Sequence, residues 1–200
     1  MINHKHQAIM EKNICLFILG MILSLNANAQ YSKDHTKFMG IPLGCKVDLF
    51  VSQLSTKGFD IITDWGTGTS MKSIMLEGKF MGEVKTIHVG YNGYRIAKDV
   101  SINYEAYSWK SAYDKYLKLK SMLTQKYGKP KKAIESFPSQ ANQSDKSKVI
   151  AIKNGTGKCE SVFQVNSGEI ELEIKHSDNL LVWLTYKDLT VKERRPIDDL

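Results

Sequence analysis

The segment Tyr91-Asn92-Gly93-Tyr94 places the strongest local constraint on this chain. Asn-Gly accepts the two positive φ angles of a type I′ turn, whose twist matches that of paired strands, so the segment predicts a tight turn closing an antiparallel hairpin. On its far side Val100, Ile102 and Tyr104 alternate with Ser101 and Asn103, the pattern of a strand buried on one face. On the near side Met71 to Glu77 and Lys79 to Val89 are strand candidates, and Trp65 to Ser70 reads as a Gly-rich turn or loop.

Two helices flank this block. Val47, Phe50, Val51 and Leu54 recur at helical spacing, Asp48 suits the first turn, and Gly58 suits the left-handed position past the end, with Phe59 folding back. The second helix is capped by Ser108 and carries one stripe of Trp109, Ala112, Tyr113, Tyr116, Leu119, Leu123 and Tyr127. Gly128 and Pro130 stop it. Beyond it, Ala133 to Phe137 predicts a short strand and Asp145 to Asn154 a short helix ending at Gly155. Cys159–Val165, Glu169–Lys175 and Leu180–Tyr186 predict a meander with turns at Asn166-Ser167-Gly168 and Ser177-Asp178-Asn179. The expected class is α+β, a mostly antiparallel sheet with two main helices on one face. Leu54-x-x-Lys57-Gly58-Phe59 and Leu123-x-x-Lys126-Tyr127-Gly128 close the two helices alike and hint at two helix-plus-meander modules.

The first 29 residues read as a secretory signal. A basic start with Lys5 and Lys12 precedes an apolar run from Ile14 to Leu25, and Ala27-Asn28-Ala29 is the small-x-small pattern cut before Gln30. Met10 is an alternative start. The apolar run is too short for a permanent anchor, so the expected product is a periplasmic or secreted protein with no membrane anchor after cleavage. The expected organisation is a cleaved signal (1–29), a flexible lead-in (30–37), one α+β domain (38–190) and a mobile tail (191–200). Losing Lys5, Glu11 and Lys12 takes the net charge of the 200-residue chain from +7 to +6. The lysines are dispersed, and their one dense run, Lys126, Lys129, Lys131 and Lys132, falls at a helix end where cations complement the dipole, so nucleic acid is not an expected partner. Cys45 and Cys159 survive maturation; in an oxidising compartment they are a disulfide candidate, or else two separate buried thiols.

Catalytic motifs are lacking. Asn154-Gly155-Thr156-Gly157-Lys158 resembles a phosphate loop, but Ile152 stands where the pattern needs Gly and Cys159 where it needs Ser or Thr. His35, His88 and His176 have no metal-ligand spacing, so no metal, cofactor or catalytic residue is assigned. Glu169, Glu171 and Glu173 alternate with Ile170, Leu172 and Ile174, which puts three acids on one sheet face, either a solvated face paired with lysines or a recognition stripe for a basic partner. Trp183, in a strand apolar on both faces, and Trp65, in the Gly-rich loop, are the candidate exposed anchors.

The order of helices and hairpins resembles the layout of the beta-lactamase inhibitor protein fold over residues 40–190. The signal ending, the Phe38-Met39-Gly40-Ile41-Pro42-Leu43 entry and the Tyr127-Gly128-Lys129-Pro130 helix end also resemble small exported α+β proteins of Bacteroides-type bacteria. These resemblances imply export and an α+β fold. The expected function is a non-enzymatic binding protein of the cell envelope that engages another protein, in its specific form an inhibitor or immunity-type protein. The alternative is a small envelope hydrolase using carboxylates near the sheet rim. A pocket joining His88 or His176 to a carboxylate of raised pKa would favour the enzyme; an apolar patch carrying Trp65 or Trp183 would favour binding.

Overall fold

The computed structural model describes residues 35–66, 72–139 and 144–193; the segment 1–29 read above as a signal, the lead-in positions 30–34, the loop positions 67–71 and 140–143 and the tail positions 194–200 lie outside the described residues. Along the chain come β1 (Lys37–Phe38), β2 (Ile41–Pro42), α1 (Val47–Ser55), β3 (Asp60–Asp64), β4 (Ser73–Phe80), β5 (Glu83–Tyr91) and β6 (Ala97–Ala106). Then follow α2 (Trp109–Tyr127), β7 (Lys132–Ser136), α3 (Asp145–Lys153), β8 (Lys158–Val165), β9 (Gly168–His176) and β10 (Leu180–Asp188). β1 and β2 form a small hairpin, and the other eight strands form one sheet in the order β3-β4-β5-β6-β10-β9-β8-β7, every neighbour antiparallel. The fold is α+β, as the alternation and helical spacing predict. In both halves a helix precedes four strands, and their order runs outward from the β6–β10 seam. The two helix-plus-meander units thus share one sheet.

The helix ends follow their sequence signals. The Ser108 hydroxyl accepts the Ser111 N–H at 3.1 Å, and the Ser111 hydroxyl accepts the Ser108 N–H at 3.3 Å, a reciprocal cap for α2. The Ser144 hydroxyl caps α3 by accepting the Ser147 N–H in the same way. Gly58 and Gly128 sit at φ +85 and +84, past the ends of α1 and α2. One parity of each central strand is dry: Ile87 and Val89 of β5, Val100 and Ile102 of β6, Val182 and Leu184 of β10, and Ile170 and Leu172 of β9 are all buried. Helix α2 packs against β6, β8, β9 and β10, and α3 leans on β9 and α2. Between helix and sheet the Tyr116 hydroxyl meets the Ser161 hydroxyl at 2.7 Å, which satisfies two polar groups in the core.

The β5–β6 hairpin forms with Ile87 opposite Ile102 and Val89 opposite Val100, but its turn is not the two-residue Asn-Gly turn. The connection spans residues 92–96. The Asn92 carboxamide oxygen accepts the N–H groups of Tyr94 and Ile96, both at 3.0 Å, and Arg95 takes the left-handed conformation at φ 57. Asparagine's capacity to satisfy nearby backbone donors displaces the tighter turn. Two-residue turns with paired positive φ occur instead at Met39-Gly40 (φ 50 and 83) and Met81-Gly82 (φ 53 and 83), closing β1–β2 and β4–β5.

Of the two readings of the cysteines, the separate buried thiols hold and the disulfide candidate does not: Cys45 and Cys159 are both free and buried. The Cys45 carbonyl accepts the Ala97 N–H at the start of β6. Cys159 precedes Glu160, which shares a row with Glu173, Trp183 and Asn103, six positions further along β6 and three strands across. That puts the thiols on the order of 20 Å apart along the strands alone, at about 3.3 Å per residue, far beyond disulfide reach. Burial, aided by the Glu135 charge, pushes the Cys159 thiol up to about 12. A thiol reagent is therefore expected to label neither cysteine in the native protein and both after denaturation, and the intact mass should show no two-hydrogen deficit.

The polar lead-in also ends earlier than residue 37. His35 Nδ1 and the Thr36 N–H both reach the Asp188 carboxylate, at 2.8 and 3.0 Å, and Thr36 is buried. At the other end, Asn92 donates its side-chain N–H to the Lys192 carbonyl at 2.7 Å, so the first residues of the expected tail are held against the β5–β6 connection.

Candidate functional site: the open face of the sheet

Alternation along each strand sends every second side chain away from the helices. Register then assembles the rows of this second face. One row runs Met75, His88, Ser101, Thr185, Glu171 and Val162 across β4, β5, β6, β10, β9 and β8. The next carries Asn103, Trp183, Glu173 and Glu160. The row on the other side carries Gly90, Asp99, Lys187 and Glu169. Among the described residues no helix covers this face.

All five residues singled out in the sequence lie on this side of the sheet, four of them on β10 and β9 and Trp65 two strands away beside β5. Trp183, Glu169, Glu171 and Glu173 project from β10 and β9. The Trp65 N–H continues the β3–β4 ladder by donating to the Ser73 carbonyl at 3.0 Å, and its ring lies 6.0 Å from the His88 ring. The Lys175 ammonium sits 5.2 Å from the centroid of Trp183 and reaches Glu173 at 2.7 Å, holding the half-buried indole against the sheet.

The acids are not a bare stripe. Glu171 pairs with Lys187 across strands at 2.5 Å, Glu173 pairs with Lys175, and Glu160 pairs with Lys132 and Lys158 at 2.8 and 3.1 Å. Glu169 differs: burial, then a hydrogen bond shared with Glu171, raise its carboxyl above the ordinary range. The arrangement matches a face whose charges are internally paired, with Trp183 and the Ser101–Thr185 hydroxyl pair (3.3 Å) between them. One carboxamide atom of Asn103, Oδ1, is buried without a hydrogen-bond partner among the described residues, in the same row as Trp183, an acceptor that sequence reasoning gave no reason to notice.

The hydrolase reading needs a base, an acid and a place to bind. Burial lowers the His88 imidazole below its ordinary value, which keeps it neutral. Asp99 lies diagonally from it on the same face and is raised, chiefly by burial. The Ser101 hydroxyl, opposite His88 in the same row, bonds Thr185 rather than the imidazole. His176 bonds the adjacent Ser177 carbonyl at 2.6 Å and meets no carboxylate among the described residues. On the helical side a hollow of about 390 Å³ is lined by Asp114, Glu135 and Asp145 with Trp109 and Phe137. There Asp114 pairs with Lys110, and Glu135 with Lys120 and Tyr113. Burial works to raise Glu135, but the bonds from Lys120 and Tyr113 outweigh it and leave it lowered. A general acid needs the opposite shift.

Among the described residues no group of three or more His, Cys, Asp or Glu is placed to hold a metal ion, and no helix is long and apolar enough to cross a membrane. Compared with family models, with curated proteins and with solved structures, the chain matches none.

Proposed function

We propose that this is an exported binding protein of the cell envelope that engages another protein through the open face of its sheet, in the manner of an inhibitor or immunity-type protein. The observation that carries the reading is that Trp183, flanked by the lysine-paired Glu171 and Glu173, shares with Trp65 the one face that no described helix covers. A large indole with a satisfied charged surround is the composition of an interface anchor, where aromatic residues lie inside a rim of polar groups. The paired lysines mean that the partner need not be basic; it needs an apolar recess for the indole and polar groups that meet the lysine–glutamate pairs beside it.

The test is a native mass spectrum of the protein isolated from its host's envelope fraction, repeated with Trp183→Ala. The expected result is a chain beginning at Gln30 with a second protein attached in fixed stoichiometry, and a loss of at least about 30-fold in affinity for that protein in the variant, the scale of a hot-spot residue. Circular dichroism and thermal melting of the variant should show a folded protein, so that the lost affinity reports the contact and not unfolding. A bare monomer from the envelope, or a complex indifferent to Trp183→Ala, overturns the reading.

A further inference from the structure

The helical side holds a feature that the open face does not explain. An apolar slot of about 240 Å³ lies between the C-terminal half of α2 and the end of the sheet. Leu184 and Tyr186 of β10 form its floor, and Leu119, Met122 and Leu123 of α2 its wall. Its lip is made by the tips of the two Met-Gly turns, Met39 and Met81.

Those two turns are costly. A non-glycine side chain is disfavoured in the left-handed region, and Asn-Gly makes the same turn more readily. Both turns nevertheless place methionine, the most adaptable apolar side chain, at φ 50 and 53, and both methionines face the same slot. Met81 and Met122 are also exposed large apolar groups, at 45% and 43%. Strain of this kind collects where a site is shaped.

The slot has a charged mouth. Lys37 and Lys126 line it, and both also line an adjoining hollow of about 400 Å³ together with Tyr127. None of the residues lining either space is acidic. Lys126 stacks near the Tyr127 ring at 4.9 Å, and among the described residues neither lysine makes a carboxylate pair. The C-terminus of α2 contributes about half a negative charge here, which two full ammonium charges outweigh.

We infer that the slot binds a single-chain amphiphile with an anionic head: the alkyl chain lies between α2 and β10, and the head sits between Lys37 and Lys126. Size sets the class. The space exceeds the roughly 150 Å³ that an enclosed apolar cavity needs to hold a benzene ring but falls below the usual range of about 300–1,000 Å³ for larger ligands, so one chain fits and a two-chain lipid does not.

The test is titration calorimetry of the full chain with sodium decanoate below its micellar concentration, beside decanol and decyltrimethylammonium. Decanoate should bind one to one, at least tenfold more tightly than decanol, and the cationic amphiphile should not bind. Lys37→Gln with Lys126→Gln should weaken decanoate about tenfold and leave decanol unchanged. Met81→Asn and Met39→Asn create Asn-Gly turns, so they should hold or raise the melting temperature while weakening decanoate and decanol together. Absence of saturable decanoate binding, equal affinity for decanol, or Met→Asn variants that bind as the parent does would each overturn the site.

Discussion

Replacing Asp188 by alanine is expected to lower the unfolding free energy by about 3–5 kcal/mol, because several hydrogen bonds to a buried carboxylate are lost together, at about 1.5–3 kcal/mol for a bond to a charged group, and a buried donor is left unsatisfied. The Asp188 side chain is fully buried at the end of β10. One carboxylate oxygen accepts the Thr36 N–H and His35 Nδ1–H; the other accepts the Thr190 N–H at 2.9 Å and the Thr190 hydroxyl at 2.5 Å. Alanine leaves the buried Thr36 N–H with no acceptor and frees the segment that leads into β1. Asp188→Asn keeps the shape but presents N–H groups to some of these donors, and about 1–3 kcal/mol is expected. Chemical denaturation at pH 7 checks both values.

The same residue fixes a pH dependence. Burial alone would raise the Asp188 carboxyl, but the bonds from Thr190, His35 and Thr36 outweigh it and hold it below its ordinary 3.8. A carboxyl lowered in the folded state contributes fully above the unfolded value and loses that contribution as pH falls through the folded one. The parent should therefore lose stability as pH drops below about 4, and Asp188→Asn should lose less over the same interval. Equal slopes for the two proteins would show that other carboxylates govern acid unfolding.

The clamp also marks where sequence reasoning stops. Helix α2 was legible because its apolar residues repeat at 3.6 spacing and its caps, Ser108 and Gly128, are local. The meander β8–β10 was legible from alternation and turn residues, and alternation alone gave Glu169, Glu171 and Glu173 a common face. Placing Trp183 on that face with them needed the β9–β10 register, which sets Trp183 opposite Glu173. The His35–Asp188 contact joins residues 153 positions apart, and no local pattern announces it. Neither do the Met-Gly turns, because methionine has no preference for positive φ and the surrounding pairing imposes it. The choice between a disulfide and two separate thiols at Cys45 and Cys159 stayed open for a related reason: their separation depends on strand order, which spacing along the chain does not encode.

Phe38→Ala is the second large effect expected, at about 3–5 kcal/mol for deleting a fully buried aromatic side chain. Phe38 is 0% exposed; its ring stacks on Phe80 with centroids 5.3 Å apart and meets the Tyr186 ring edge-on at 5.2 Å. It pegs the entry segment to β4 and β10, while Asp188 holds the same segment two residues earlier. Once one attachment is gone, the segment gains freedom that the other must oppose, so the two losses are not independent. The double variant should fall short of the sum of the single effects by at least about 0.5 kcal/mol, the lower bound for coupled neighbours. Strict additivity would mean that peg and clamp stabilise separate regions. Phe38 also lies between Lys37 and Met39, one at the mouth of the apolar slot and one at its lip. Phe38→Ala should therefore weaken decanoate binding even at temperatures where the sheet remains folded. A polar clamp and an aromatic peg would then be what keeps a strained methionine turn in register with α2, tying the stability of the entry segment to the shape of the site.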